Sequence, residues 1–193
     1  MSMYCQPEEV RQFLADPTIS TTTLLALIPG VCEGIDGWCH RSFTPVTKTR
    51  LYDYTDSRTV KLREDLVSIS VVTTNAGQTF SDADFILEPG DNPPYRWIKL
   101  KYGKSFLYSG TREQAISITG SWGYQAEVPD SVILAVKIWT GILYNQLDAI
   151  GFSSLSGGEL SAKLKELTNE PPADVQVHIN RYRAIRIRSA RVL

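Results

Sequence analysis

The sequence predicts an α+β protein: a helical bundle of two N-terminal helices, one long helix and a C-terminal helix or arm, with a small antiparallel β unit inserted. Three observations carry that prediction. Apolar residues recur at three- and four-residue spacings up to about residue 45 and again from residue 128. Between about residues 46 and 122 the texture changes to short β-branched and aromatic runs broken by turn residues. Proline stands at the start of both the first and the long helical pattern. The expected organisation is N-terminal helices over 1–45, the β unit over 46–122, the long helix and a connector over 123–170, and a basic C-terminal helix or arm over 171–193, all in one folding unit.

The first helix is expected from Pro7, because proline loses nothing at the first helical position and Glu8 and Glu9 suit the positive end of the helix dipole. Val10, Phe13 and Leu14 give it an apolar face. A second helix follows Thr21–Thr23, with Leu24, Ile28, Val31, Ile35 and Trp38 on one side and Pro29 kinking or restarting it. Asp36, His40 and Arg41 project from its last turns, and the segment ends near Phe43-Thr44-Pro45.

Strands are expected at Thr49–Tyr54, Thr59–Leu62, Val67–Thr74, Asp84–Leu87, Arg96–Leu100 and Ala115–Thr119. Asn75-Ala76-Gly77 and the run from Pro89 to Pro94 supply turns. The long helix begins around Pro129 and continues through Val132, Val136, Trp139, Ile142, Leu143 and Leu147, with Lys137 its one charge between Ser131 and Leu147. So apolar a helix must be covered by its own chain or by another subunit, and Val132, Val136, Trp139 and Leu143 are the candidates for subunit packing. Phe152–Gly158 reads as a Ser/Gly-rich connector and Glu159–Thr168 as a short helix. A last helix runs from Ala173 to about Arg183, and Ala184-Ile185-Arg186-Ile187-Arg188 alternates apolar and basic residues, which fits a helix end or an extended arm equally.

Charge is uneven along the chain. The last twenty residues hold five arginines against one aspartate, a net +4, leaving 15 basic and 20 acidic groups, or −5, for residues 1–173. Arg181, Arg183, Arg186, Arg188 and Arg191 therefore mark the tail as a contact for an acidic partner, and Ile185, Ile187, Val192 and Leu193 add apolar surface that pure phosphate binding does not need. With 42% hydrophobic and 21% charged residues, and apolar stretches well short of a membrane span of ~20 residues, neither disorder nor membrane insertion is expected. The opening MSMYCQPEEV shows no basic region followed by an apolar one, so an intracellular product is expected, with its three cysteines as free thiols.

Chemistry finds little support. His40 and His178 lie in different elements, and there is no G-x-S-x-G elbow and no phosphate-binding glycine loop. Cys32, Cys39 and His40 lack the close ligand pair of a metal site. Asp53, Asp56, Asp82, Asp84, Glu88 and Asp91 crowd the β region, but turn-forming aspartates beside strands account for most of them. No enzyme activity, metal or cofactor is expected.

Taken in order, several segments resemble the head-tail connector, or adaptor, family of tailed bacteriophages. They are the Pro-Glu-Glu-Val start, Ile35-Asp36 followed by Arg41-Ser42-Phe43, Val60-Lys61-Leu62 with Leu66–Val72, Pro94–Ile98, Ile118–Tyr124 and Val128-Pro129. The resemblance covers most of residues 4 to 150. It implies a virion structural protein at the capsid-tail junction, made in the host cytoplasm and assembling as a ring of about twelve copies beneath the portal. The implied partners are the portal, a tail-side neck or tail protein, and genomic DNA that passes through the channel without sequence-specific binding; no membrane is involved. Gly120 and Gly123 would let the last strand turn into the helix at Pro129 while Trp122 packs between sheet and helices, and Arg41 would anchor a helix end. The arm, with Arg181, Arg183, Ile185, Arg186, Ile187, Arg188 and Arg191, would order on the portal. Two other classes compete: a DNA-binding module using the arginine tail, and a carbohydrate- or host-binding β module presenting Tyr52, Tyr54, Trp97, Tyr102 and Tyr108.

Overall fold

The structure, a computed structural model, describes residues 3–149 and 166–184. The expected connector at Phe152–Gly158, most of the Glu159–Thr168 helix, and Ile185, Arg186, Ile187, Arg188 and Arg191 of the arm lie outside the described residues. The architecture is α+β with an antiparallel sheet, and the chain divides into two compact units: Met1–Arg41 with Val128–Leu193, and Ser42–Glu127.

In the first unit, α1 spans Pro7–Leu14, α2 Thr21–Cys39, α3 Asp130–Ala149 and α4 Ala173–Ile179, followed by a 3-10 turn at Asn180–Tyr182. Proline starts α1, and the Gln6 backbone N–H is satisfied by Glu9 Oε2 at 2.7 Å. Val10 is buried, but Phe13, expected on the apolar face, is 45% exposed. Ser20 caps α2 by accepting from the Thr22 N–H at 3.2 Å. Contrary to a restart at Pro29, α2 is one continuous helix of 19 residues. Proline removes one ladder bond, while Leu27, Ile28, Val31 and Cys32 on both sides of it are buried and hold the two halves in line. The helix ends earlier than expected, at Cys39, where His40 takes the left-handed conformation (φ 53°) that stops the ladder. His40 and Arg41 therefore lie beyond α2.

In α3, Val132, Val136, Trp139 and Leu143 fall on one side at alternating four- and three-residue steps, and all are buried. Val175, Ile179 and Tyr182 bury the corresponding side of α4 and its turn. An ion pair from Lys137 Nζ to Glu9 Oε1 at 3.2 Å joins α3 to α1. No helix among the described residues is long and apolar enough to cross a membrane.

The second unit holds β1 Val46–Tyr52, β2 Thr59–Thr74, β3 Thr79–Phe80, β4 Phe85–Glu88, β5 Tyr95–Leu100 and β6 Ile116–Trp122. The order is β1-β6-β2-β5-β4, with β3 on the end of β2 and every pairing antiparallel. The runs expected at Thr59–Leu62 and Val67–Thr74 are one strand of 16 residues, irregular between Lys61 and Leu66. Its charged interruption is a bulge whose charges are paired: Glu64 meets Lys48 and Arg50, each at 2.6 Å, and Asp65 meets Arg96 at 2.6 Å. The core-facing positions of β6 are buried in strict alternation. They join Tyr52, Leu66, Val72, Ile98 and Phe106 in one apolar core.

Candidate functional site

The carboxylates of the β unit act as local braces. Asp56 Oδ1 accepts from the Arg58 and Thr59 N–H groups at 2.7 and 2.8 Å, and Asp53 Oδ1 accepts from the Gln114 N–H at 2.9 Å. Asp84 accepts from the Ser81 N–H at 2.8 Å and pairs with Lys104 at 2.9 Å. The Ser81 N–H, Lys104 and the Ser81 hydroxyl together hold its carboxyl down at about 2. Asp53, Asp56 and Asp84 are thus occupied by turn and strand N–H groups, as turn-forming aspartates beside strands are. Among the described residues no three His, Cys, Asp or Glu side chains gather to hold a metal ion. The thiols of Cys5, Cys32 and Cys39 are buried, and burial pushes them up to about 11, 12 and 12.

The aromatics that a carbohydrate- or host-binding module would need to present are mostly engaged within the β unit. Tyr52 is in the core, stacked on Trp122 with centroids 6.2 Å apart, and Tyr54 packs on Tyr108 at 4.7 Å. Trp97 carries Lys61 over its ring at 5.4 Å, and Tyr102 is 95% exposed.

The most built of the charged surfaces is where the chain leaves for its basic arm. Trp38 stands in the last turn of α2, and its Nε1 donates to Asn180 Oδ1 at 3.0 Å. The Arg183 guanidinium lies over the same indole, its carbon 4.4 Å from the ring centroid. The next residue, Ala184, donates its N–H to the Cys39 carbonyl at 2.9 Å, satisfying one of the carbonyls a helix end leaves over. Since α2 has no basic residue of its own in its last turn, Arg183 supplies the cation that the negative end of its dipole favours. On the other side of Tyr182, Arg181 lies over the ring at 4.8 Å and donates to Ser131 Oγ, which shares a 2.7 Å hydrogen bond with the Tyr182 hydroxyl. Both arginines are exposed. Stacking uses the face of a guanidinium and leaves in-plane N–H groups to meet an anion. The clasp joins residues 142 apart in sequence, so no local pattern announces it.

The remaining predicted residues fall elsewhere. Val132, Val136, Trp139 and Leu143 are covered within the chain itself, 0–1% exposed, so they are not surface available to a neighbouring subunit. Gly120 does not turn the chain: it lies inside β6 opposite Lys48, where a Cβ would stand 2.3 Å from the Ser68 carbonyl oxygen. A Cβ on Gly123 would meet the backbone of Pro45 at 2.8 Å. Trp122 is in the core of the β unit and donates Nε1–H to the Lys48 carbonyl at 2.9 Å. The Pro129 carbonyl accepts the first bonds of α3, from the Val132 and Ile133 N–H groups at 2.8 and 3.1 Å. Arg41 follows the His40 cap and donates its N–H to the Asp36 carbonyl at 3.2 Å.

Fold and site together describe an α+β protein with a braced sheet and a basic terminal segment. No protein-family model matches the chain, and no curated protein does. Solved structures of phage-like particles do. A chain in the neck of an empty GTA particle, computed with C6 symmetry, is 17% identical with a TM-score of 0.59, over 99% of this chain and 97% of that one. A chain in the neck of a native GTA particle, computed with C12 symmetry, is 17% identical with a TM-score of 0.57, over 99% and 98%. A chain in the virion of a native gene transfer agent particle is 15% identical with a TM-score of 0.56, over 98% and 96%. The fold is thus shared, over nearly the whole chain, with chains of GTA neck and virion particles, in keeping with the resemblance to head-tail connectors.

Proposed function

We propose that this protein is a virion structural protein of the neck, a head-tail adaptor that forms a ring of about twelve copies beneath the portal. The observation that carries this reading is the end-to-end likeness to a chain of a neck computed with C12 symmetry. In such a ring the same surface pair repeats around the axis until the rotation closes. Genome DNA passes through the channel, and a tail-side neck or tail protein follows below. The protein has no catalytic step and no cofactor, and it works at the capsid-tail junction of a particle made in the host cytoplasm.

On this reading the helices form a bundle, and Val132, Val136, Trp139 and Leu143 serve the ring by holding that bundle together. Docking onto the portal falls to the arm: Arg181, Arg183, Arg186, Arg188 and Arg191 pair with acidic groups and Ile185 and Ile187 bury apolar area. Each arm binds modestly, and linkage through the ring multiplies the effect. Co-sedimentation with the portal protein encoded beside it tests the arm. A chain ending at Ala184 should keep its thermal unfolding transition and lose co-sedimentation; retained co-sedimentation would overturn the arm's role.

A further inference from the structure

We infer that Trp38 and Asn180 are positioning residues for the C-terminal arm: they clasp its root at Arg183-Ala184 against the end of α2 and so set where the arm departs. This rests on the proposed role of the arm in docking. Four contacts converge on this one point. The indole of Trp38 is held in place by its hydrogen bond to Asn180 Oδ1 at 3.0 Å. Its ring face then carries Arg183 at 4.4 Å. Directly beyond, the Ala184 N–H is held by the Cys39 carbonyl at 2.9 Å. The Cys39 thiol turns toward the Ile179 carbonyl at 3.7 Å, tying the same turn of α2 to the end of α4. The arm root is thereby fixed on both its side chain and its backbone.

Fixing a root matters for a segment that docks, because each degree of freedom removed beforehand is not lost on binding. Trp38 is only half-buried and Asn180 is exposed, so neither is there to fill the core. Asn180 uses its carbonyl oxygen as the acceptor, a role that aspartate can take over and alanine cannot.

The test uses the full-length chain in three variants: Asn180→Ala, Trp38→Leu and Asn180→Asp. Two readouts are independent of each other: trypsin cleavage after Arg183, located by mass spectrometry, and co-sedimentation with the portal. Cleavage requires the root to open, and losing one net hydrogen bond raises an open population by about fivefold. Asn180→Ala and Trp38→Leu should each raise the rate of that cut by about fivefold and weaken docking, whereas Asn180→Asp should behave like the parent in both. Should Trp38→Leu unfold the protein, Asn180→Ala and Asn180→Asp alone decide. An unchanged cut in Asn180→Ala overturns the clasp, and a faster cut with unchanged docking overturns its positioning role. If a chain ending at Ala184 docks as well as the full chain, the arm reading itself is wrong, while the cleavage rates still report whether the clasp exists.

Discussion

Gly34 lies directly against the indole of Trp139: a Cβ at that position would stand 2.8 Å from the ring and 2.6 Å from the Thr168 carbonyl oxygen. Glycine on α2 is what allows so large a side chain of α3 to sit this close, with no exposed surface at all. Gly34→Ala should destabilise the protein by about 1–3 kcal/mol through overpacking, measured as a lower urea midpoint with an unchanged slope. Gly37, on the same helix with open space around it, should accept alanine with no loss.

Trp122 has two separable roles in the sheet core, its stack on Tyr52 and its hydrogen bond to the Lys48 carbonyl. Trp122→Phe keeps a ring and drops the donor to a part-buried acceptor, so it should cost about 0.5–1.5 kcal/mol, the net range of one hydrogen bond. Trp122→Ala should cost about 3–5 kcal/mol, because it also opens a cavity. Chemical denaturation of both variants separates the two contributions.

The thiols give a pH signature. Burial raises Cys5 to about 11 and Cys32 and Cys39 to about 12, from an ordinary value of 9.0. The folded chain therefore keeps these protons where the unfolded chain releases them. Their contribution to stability is complete below pH 9 and is lost as pH rises toward 11 and 12. A thiol reagent at about pH 8 should label none of the three in the native protein and all of them in denaturant. Fast native labelling would show that this unit opens readily.

Asp84 works in the opposite direction. Its carboxyl lies at about 2 instead of 3.8, first through the Ser81 N–H and then through Lys104. Its stabilising effect is present above pH 3.8 and fades as pH falls through about 2. Asp84→Asn should therefore be less stable than the parent near neutral pH, with the gap closing in acid. Parallel thermal melts from about pH 6 down to pH 2 would show it, and a constant gap would rule it out.

Most elements of this fold are legible because local chemistry and burial agree. Proline and acidic residues start α1 as expected, and the four-three-four spacing of Val132, Val136, Trp139 and Leu143 marks the buried side of α3. Misreadings arise where a local rule is overridden by contacts from far away. Arg63-Glu64-Asp65 looks like a break between strands, yet Lys48, Arg50 and Arg96 neutralise Glu64 and Asp65, and β2 runs on. Pro29 looks like a kink or a restart, yet α2 runs through it as one helix between buried neighbours. Gly120 looks like a turn glycine, but it is required by the Ser68 carbonyl of another strand. The candidate site was half visible: the tail arginines stand out as charge, whereas the acceptor on Asn180 and the ring of Trp38 become a clasp only through folding.

The proposed role of this chain, a ring-forming neck protein docked beneath a portal, has a direct test. The most direct measurement is electron microscopy of the full-length chain mixed with the portal protein encoded beside it, with the chain ending at Ala184 imaged in parallel. The expected result is a closed ring, of about twelve copies by analogy with the C12 neck, seated coaxially on the portal and made by the full-length chain alone. No ring from either chain, together with binding to free duplex DNA that falls steeply with salt, would contradict it.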